Sequence, residues 1–289
     1  KTRIFDEVYT SDCALKEYAK IMALPPEPGC DLERGIFPMM LASDATHPTM
    51  FGQAKVWPGY MSHGGISKYH RCKRDSRLME HIAYFPTLPD DVQDILKARL
   101  SRKACDEAIT HCKRELMHAS WKLIIDDLFL EDWRHGIVVE FPDGVRRRLY
   151  PRIFTYTADY PEKVLLATLR NNGACPCPRC LVDKSDIHRM GMLSDQRCRT
   201  LYQRRDNQER RTRVKKARDL IYGRMRRLVG SSKVEDIMKQ RSEVPTENAF
   251  SLKLSEFGFD YFDMLVSDFL HEWELGEWKT LFVHIMRIL

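Results

Sequence analysis

Three groups of residues in this 289-residue chain have the types and spacing to do chemistry. The first is a pair of aspartates, each closing a short apolar run: Ile36-Phe-Pro-Met-Met-Leu-Ala-Ser-Asp44 and Arg152-Ile-Phe-Thr-Tyr-Thr-Ala-Asp159. Ligand-binding residues gather at strand ends in open α/β sheets. Carboxylates held there could share Mg²⁺ or Mn²⁺, which take hard oxygen ligands. Two such ions about 4 Å apart serve in-line displacement at a phosphodiester. The alternative for each aspartate is a turn or helix cap, and Asp159 just ahead of Pro161 suits a cap. Asp268 and Glu272 offer a third acid, since residues four apart share one helix face, with His271 close to both. A solvent-facing position beside Glu274 and Lys279 is the competing reading of that pair.

The second group is Cys175-Pro-Cys177-Pro-Arg-Cys180. Two thiolates in a CxxC knuckle can grip one Zn²⁺ at about 2.3 Å each, and a closed site needs four ligands. Cys175 and His188 are the nearest candidates in sequence, and His271 or His284 could close the site from the last helix. A redox pair and unligated thiols stay open as alternatives. A thioredoxin-type pair would open a helix after a strand, whereas this cluster follows a predicted helix and an Asn171-Asn172-Gly173 loop. The remaining cysteines, and His111 and His118 beside Cys112 on one long helix, read as packed or surface residues.

The third group is basic. Residues 197–241 hold 16 Lys or Arg against 5 Asp or Glu. Arg204, Arg205, Arg210, Arg211, Arg213, Lys215 and Lys216 could track a DNA backbone. Such contacts would supply affinity rather than sequence readout. A solvated helix face is the alternative. Arg146-Arg147-Arg148 is a smaller cluster of the same kind.

Elements must position these groups. Apolar runs bounded by Gly and Pro predict strands over 36–44, 54–62 and 81–85. Helical spacing of apolar residues predicts helix over 90–132. Two strand-like runs around Pro142-Asp143-Gly144 predict a hairpin over 136–150, and 152–159 reads as a further strand. Pro161-Glu162 opens a helix over 161–170. A helix with few apolar residues is predicted over 199–228, and the last 30 residues are strongly apolar at helical spacing. The order is strand, strand, strand, helices, strand, helix, insert, helix. An α/β fold with an RNase H-like core has this order: a mixed sheet with flanking helices, here carrying a zinc-knuckle and a basic helical insertion. Many α/β folds share similar orders. The expected division is 1–35 as the end of an upstream region, 36–172 as the first part of the core, 173–243 as the insert and 244–289 as the C-terminal helical part.

Composition bounds these readings. With 43% hydrophobic and 30% charged residues the chain is globular in type. No apolar run approaches the roughly 18 residues a membrane helix needs, so no membrane partner is expected, and no secretory signal is expected either. Nine cysteines make an odd set without framework spacing, which points to reduced thiols. A net charge of +6 is compatible with a nucleic-acid partner. The chain starts at Lys1 and stops at Leu289 inside a helical pattern, so it reads as a fragment of something longer.

The ordered set of motifs carries a family likeness. Pro38-Met-Met-Leu-Ala-Ser-Asp44-Ala-Thr-His-Pro-Thr49 resembles the first-acid motif of the Plavaka transposases of fungi, within the KDZ-like group of DDE/D transposases. Thr157-Ala-Asp159-Tyr-Pro-Glu162-Lys-Val-Leu resembles the second-acid motif, and Cys175–Cys180 resembles the knuckle that follows it. Val244-Pro-Thr-Glu-Asn-Ala-Phe250 and Asp268-Phe-Leu-His-Glu272-Trp-Glu-Leu-Gly276 resemble the later signatures. The likeness runs from about residue 36 to the C-terminus.

The resemblance implies an RNase H-like nuclease core, Mg²⁺- or Mn²⁺-dependent DNA cleavage and strand transfer, zinc, and a nuclear setting. Transposon ends and target DNA are the implied partners, and a homo-oligomer is compatible with it. Asp44 and Asp159 would be metal-binding acids. The Asp268-x-x-His271 element would either supply an acid or help bind zinc, in which case the last catalytic glutamate lies beyond Leu289. The alternative function is an inactive or domesticated relative that holds zinc and DNA without chemistry.

Overall fold

The computed structural model describes residues 6–46 and 56–288. His47, Pro48 and Thr49 of the first-acid motif lie outside them, as do positions 54 and 55 of the expected second strand. The chain divides into two compact units, Lys1–Tyr84 with Ile124–Thr157, and Phe85–Leu123 with Ala158–Leu289.

The first unit is built on a five-stranded mixed sheet. Its strands are β1 (Arg34–Ser43), β2 (Pro58–His63), β3 (Met79–Tyr84), β4 (Ile137–Glu140) and β5 (Arg146–Thr157). They lie in the order β3-β2-β1-β5-β4. β1 pairs antiparallel with β2 and parallel with β5; β2–β3 and β4–β5 are antiparallel. The α/β class with flanking helices is therefore observed. The hairpin turns at Gly144, where φ is +73°, and Asp143 accepts the Val145 N–H at 2.9 Å.

The hairpin's second strand does not stop at Pro151, as the reading of separate strands expected. It runs unbroken to Thr157. Arg148 donates its N–H to Glu33, toward β1. Backbone polar groups alternate sides along a strand, so the missing N–H of Pro151 falls on the β4 side. β4 has already ended there, its last pair being Ile137 with Leu149. Proline costs no ladder bond at that place.

β5 is buried without a break from Leu149 to Phe154, the pattern of a central strand covered on both faces. The helices Asp12–Ala23 and Asp127–His135 contribute Ile21 and Trp133 to this core. Arg152 ties them to the strand. It stacks 4.5 Å over the Trp133 ring, donates to the Trp133 carbonyl at 2.8 Å and pairs with Glu17 at 2.8 Å.

The second unit is helical. The expected helix over 90–132 is three helices: Asp90–Arg99, Arg102–Ile124 and Asp127–His135, the last belonging to the first unit. Leu100 adopts extended geometry, and Asp126 caps a fresh start by accepting the Phe129 N–H. A periodic pattern does not see such caps when apolar residues continue through them. The expected basic helix over 199–228 is likewise Leu193–Leu201 and Gln208–Tyr222, the second capped by Asn207. Tyr160–Leu166 is shorter than predicted, and Thr168 has a positive φ of 52°.

The core of this unit stacks Phe85 on Trp121 and Trp121 on Phe250 at ring distances of 5.4 and 4.9 Å. A satellite cluster joins Val214, Ala217, Val234 and Met238. The chain's last segment is a π-helix, Phe269–Trp278, followed by the α-helix Lys279–Ile288. Along it Phe269, Trp273, Trp278 and Phe282 are each half or more exposed.

Candidate functional site

Asp44 and Asp159 each follow the C-terminal end of a strand of the parallel pair. Along β1 and β5 the pairing runs Arg34 with Arg148 through Met39 with Ile153, then shifts by one to Met40 with Thr155 and ends at Ala42 with Thr157. The shift is a β-bulge, one extra residue on β5. Asp44 and Asp159 therefore stand at the same offset, two residues past the last paired positions. Without the bulge, position 158 would hold that offset.

Asp44 is exposed. The residue before it, Ser43, is buried and shares a 2.5 Å hydrogen bond with the Tyr156 hydroxyl, which fixes the strand end. Asp159 is half-buried and acts as a helix cap, its Oδ1 accepting the Glu162 N–H at 2.9 Å. That was the competing expectation for this residue, and it leaves the second oxygen free of the cap.

The two candidates for a third acid are engaged elsewhere. Asp268 caps the π-helix, accepting from the amides of Leu270 and His271, and its other oxygen meets His271 Nδ1 at 2.6 Å. Burial pushes its carboxyl up, but the His271 bonds outweigh this and the net shift is downward. Glu272 forms an ion pair with Lys163, an ammonium that is 2% exposed. Nothing in the sequence marks Lys163 as buried, since it lies in the Asp-Tyr-Pro-Glu-Lys run of an otherwise ordinary helix start.

Cys177 and Cys180 come together. The Cys177 thiol is pulled down to about 5, first by the hydrogen bond from Cys180 and then by the Arg179 and Cys180 amides, against the opposing effect of burial. Cys180 is pushed up as the protonated donor of the pair. Arg199 adds positive charge, approaching Cys180 Sγ at 3.7 Å while pairing with Asp195. The other expected ligands point elsewhere. Cys175 Sγ faces the Gln240 carbonyl at 3.9 Å, His188 Nδ1 lies 2.7 Å from the Ser185 carbonyl, and His271 is held by Asp268. Among the described residues no three His, Cys, Asp or Glu side chains converge on a common point. Two sulfurs are half of the donor set that structural zinc takes, so the arrangement does not fit a closed zinc site. A cavity of about 660 Å³ opens beside the pair, lined by Tyr160, Lys163, Cys177, Cys180, Arg199 and Glu272 among others.

Two arginines of the basic stretch are buried. Arg204, 3% exposed, donates to the carbonyls of Cys175, Cys177 and Arg241 at 2.8–2.9 Å and so staples the cysteine loop. Arg210, also 3% exposed, donates to Thr168 Oγ1 and faces Asp206, Glu243 and the rings of Tyr261 and Phe262. Buried guanidiniums with protein acceptors present no charge to a phosphate. Arg205 pairs with Asp263, Arg211 with Asp206, and Arg213 with Glu209 and Glu243. Lys215 and Lys216 are exposed on the helix Gln208–Tyr222. Among the described residues no helix is long and apolar enough to cross a membrane.

A family model described as Plavaka transposase matches residues 1–285. No curated protein and no solved structure matches the chain.

Proposed function

The chain belongs to the Plavaka transposase family, and from that premise we propose that it is a catalytic-core region that cuts and joins DNA with divalent metal. Its substrates would be transposon ends and target DNA, in the nucleus. The observation that carries this reading is the matched offset of Asp44 and Asp159 past the paired ends of two parallel strands, produced by one bulge. The sheet supports an RNase H-like core: three antiparallel strands first, then a strand returning parallel beside the first. The hard oxygen donors suit Mg²⁺ or Mn²⁺. Asp44 and Asp159 would hold the ion, which would stabilise charge at the phosphodiester. The Ser43–Tyr156 bond would keep Asp44 in place, and the cap at Glu162 would orient Asp159.

A second reading is a relative that binds DNA without chemistry. It is favoured by the commitment of Asp268 to His271 and of Glu272 to Lys163, which leaves the third acid unsupplied by either.

Nicking of supercoiled plasmid in Mg²⁺ or Mn²⁺ tests the first reading. Asp44→Asn should abolish it with an unchanged melting curve. Wild-type nicking rates in Asp44→Asn would refute the assignment, and a wild-type protein inert in both metals but still binding duplex would favour the second reading.

A further inference from the structure

A cavity of about 290 Å³ in the second unit lies away from the aspartates and the cysteine pair. Asp106, Glu107, Thr110 and Arg114, on one face of the helix Arg102–Ile124, line it together with Arg170 and Asn171. Arg114 is half-buried, and among the described residues no carboxylate lies within ion-pair distance of it. Burial and the charge of Arg170 together lower its pKa to about 10, so it remains a cation at neutral pH. Arg170 gives one nitrogen to Glu235 at 2.6 Å, while its Nε is buried with no hydrogen-bond partner.

The acids nearby do not neutralise Arg114. Glu235 is taken by Arg170. Glu107 is turned to Gly230, where a Cβ would lie 1.9 Å from its Oε2. Asp106 is exposed at the rim. A half-buried guanidinium without an anion is costly, and native structures pair such groups. Among the described residues no carboxylate pairs with Arg114, which lines the cavity.

We propose that this cavity is an oxyanion site that takes a phosphate group between Arg114 and Arg170. Guanidinium forks match phosphate oxygens in bidentate geometry. Asn171 adds a neutral donor at the edge, while the Thr110 hydroxyl donates to the Asp106 carbonyl at 2.8 Å. The phosphate belongs either to a DNA backbone or to a free phosphate ion, and the chemistry of recognition is the same. The site is independent of the metal-binding reading above.

The test uses the whole chain in EDTA, so that loss of metal chemistry cannot affect it. One arm measures the melting temperature in inorganic phosphate against chloride of equal ionic strength. The other measures affinity for a short duplex across a salt series. For free phosphate, the wild type melts higher in phosphate and Arg114→Gln loses the difference. For a backbone phosphate, Arg114→Gln weakens duplex binding about tenfold, uniformly across sequences, and lowers the salt slope by about one. Thr110→Asp, an exposed change that adds negative charge at the mouth, should have the same effect in whichever arm responds. Circular dichroism reports whether each variant folds. If the wild type shows no phosphate effect and both variants bind duplex like the wild type, the proposal is overturned.

Discussion

Replacing Arg204 with methionine separates a structural arginine from a DNA-contacting one. Methionine keeps most of the volume and removes every donor. The carbonyls of Cys175, Cys177 and Arg241 then lose their partner. One of these bonds is buried and two are part-buried, and each acceptor left unsatisfied costs about 1 kcal/mol, so the sum is roughly 3 kcal/mol. Burial already pushes the Arg204 pKa down, since the charge is poorly solvated where it sits. Removing that charge returns part of the cost, which leaves a loss of about 2–3 kcal/mol. For a domain of this size 1 kcal/mol shifts the melting temperature by about 2–4 °C, so a drop of roughly 4–12 °C is expected. Differential scanning calorimetry measures it, and duplex affinity is measured on the same preparation at a temperature where both proteins are folded. Arg204→Met should melt lower and bind DNA as the wild type does. A variant that melts within about 2 °C of the wild type but loses DNA affinity would refute the structural assignment.

Asp159→Ala should cost about 1 kcal/mol through loss of the cap at Glu162, while Asp159→Asn keeps the cap; chemical denaturation distinguishes them, and both should lack plasmid nicking. His118 is fully enclosed and its pKa is lowered from 6.5 to about 3, first by burial. A depressed histidine contributes stability that is complete above pH 6.5 and is lost as pH falls toward 3, at about 1.4 kcal/mol per pH unit in that window. The slope of stability with pH below 6 should therefore flatten in His118→Gln. Glu272→Gln should destabilise the chain by about 1–3 kcal/mol, since it strands the buried Lys163 ammonium, whereas Lys163→Met should be milder. Urea denaturation of the two variants checks the order, and the reverse order would show that the pair is not what holds Glu272.

The strand ends and the hairpin turn were readable in sequence because their signals are local. An apolar run that stops at an acid, or at Pro142-Asp143-Gly144, constrains its own few residues. Helix boundaries were less so. Asp126 and Asn207 interrupt long helical patterns by accepting backbone N–H groups three residues on. A periodicity of apolar residues carries no trace of that choice.

Side-chain commitments lay further out of reach. Arg204, Arg210 and Lys215 look alike in a basic run, yet two are buried on protein acceptors and one is exposed. Arg114 lies outside the basic stretch, and that no carboxylate among the described residues pairs with it is a fact about three dimensions.

By itself the sequence determined the family, the α/β class, the two aspartates at strand ends and the CxxC pairing of Cys177 with Cys180. All of these depend on residues close together in the chain or on their order along it. Only the tertiary structure decided that a single bulge on β5 puts Asp44 and Asp159 at equal offsets, and that Cys175, His188 and His271 turn to other partners. Charge desolvation and hydrogen-bond competition act between residues brought together by folding, so they are settled there and not in the linear order.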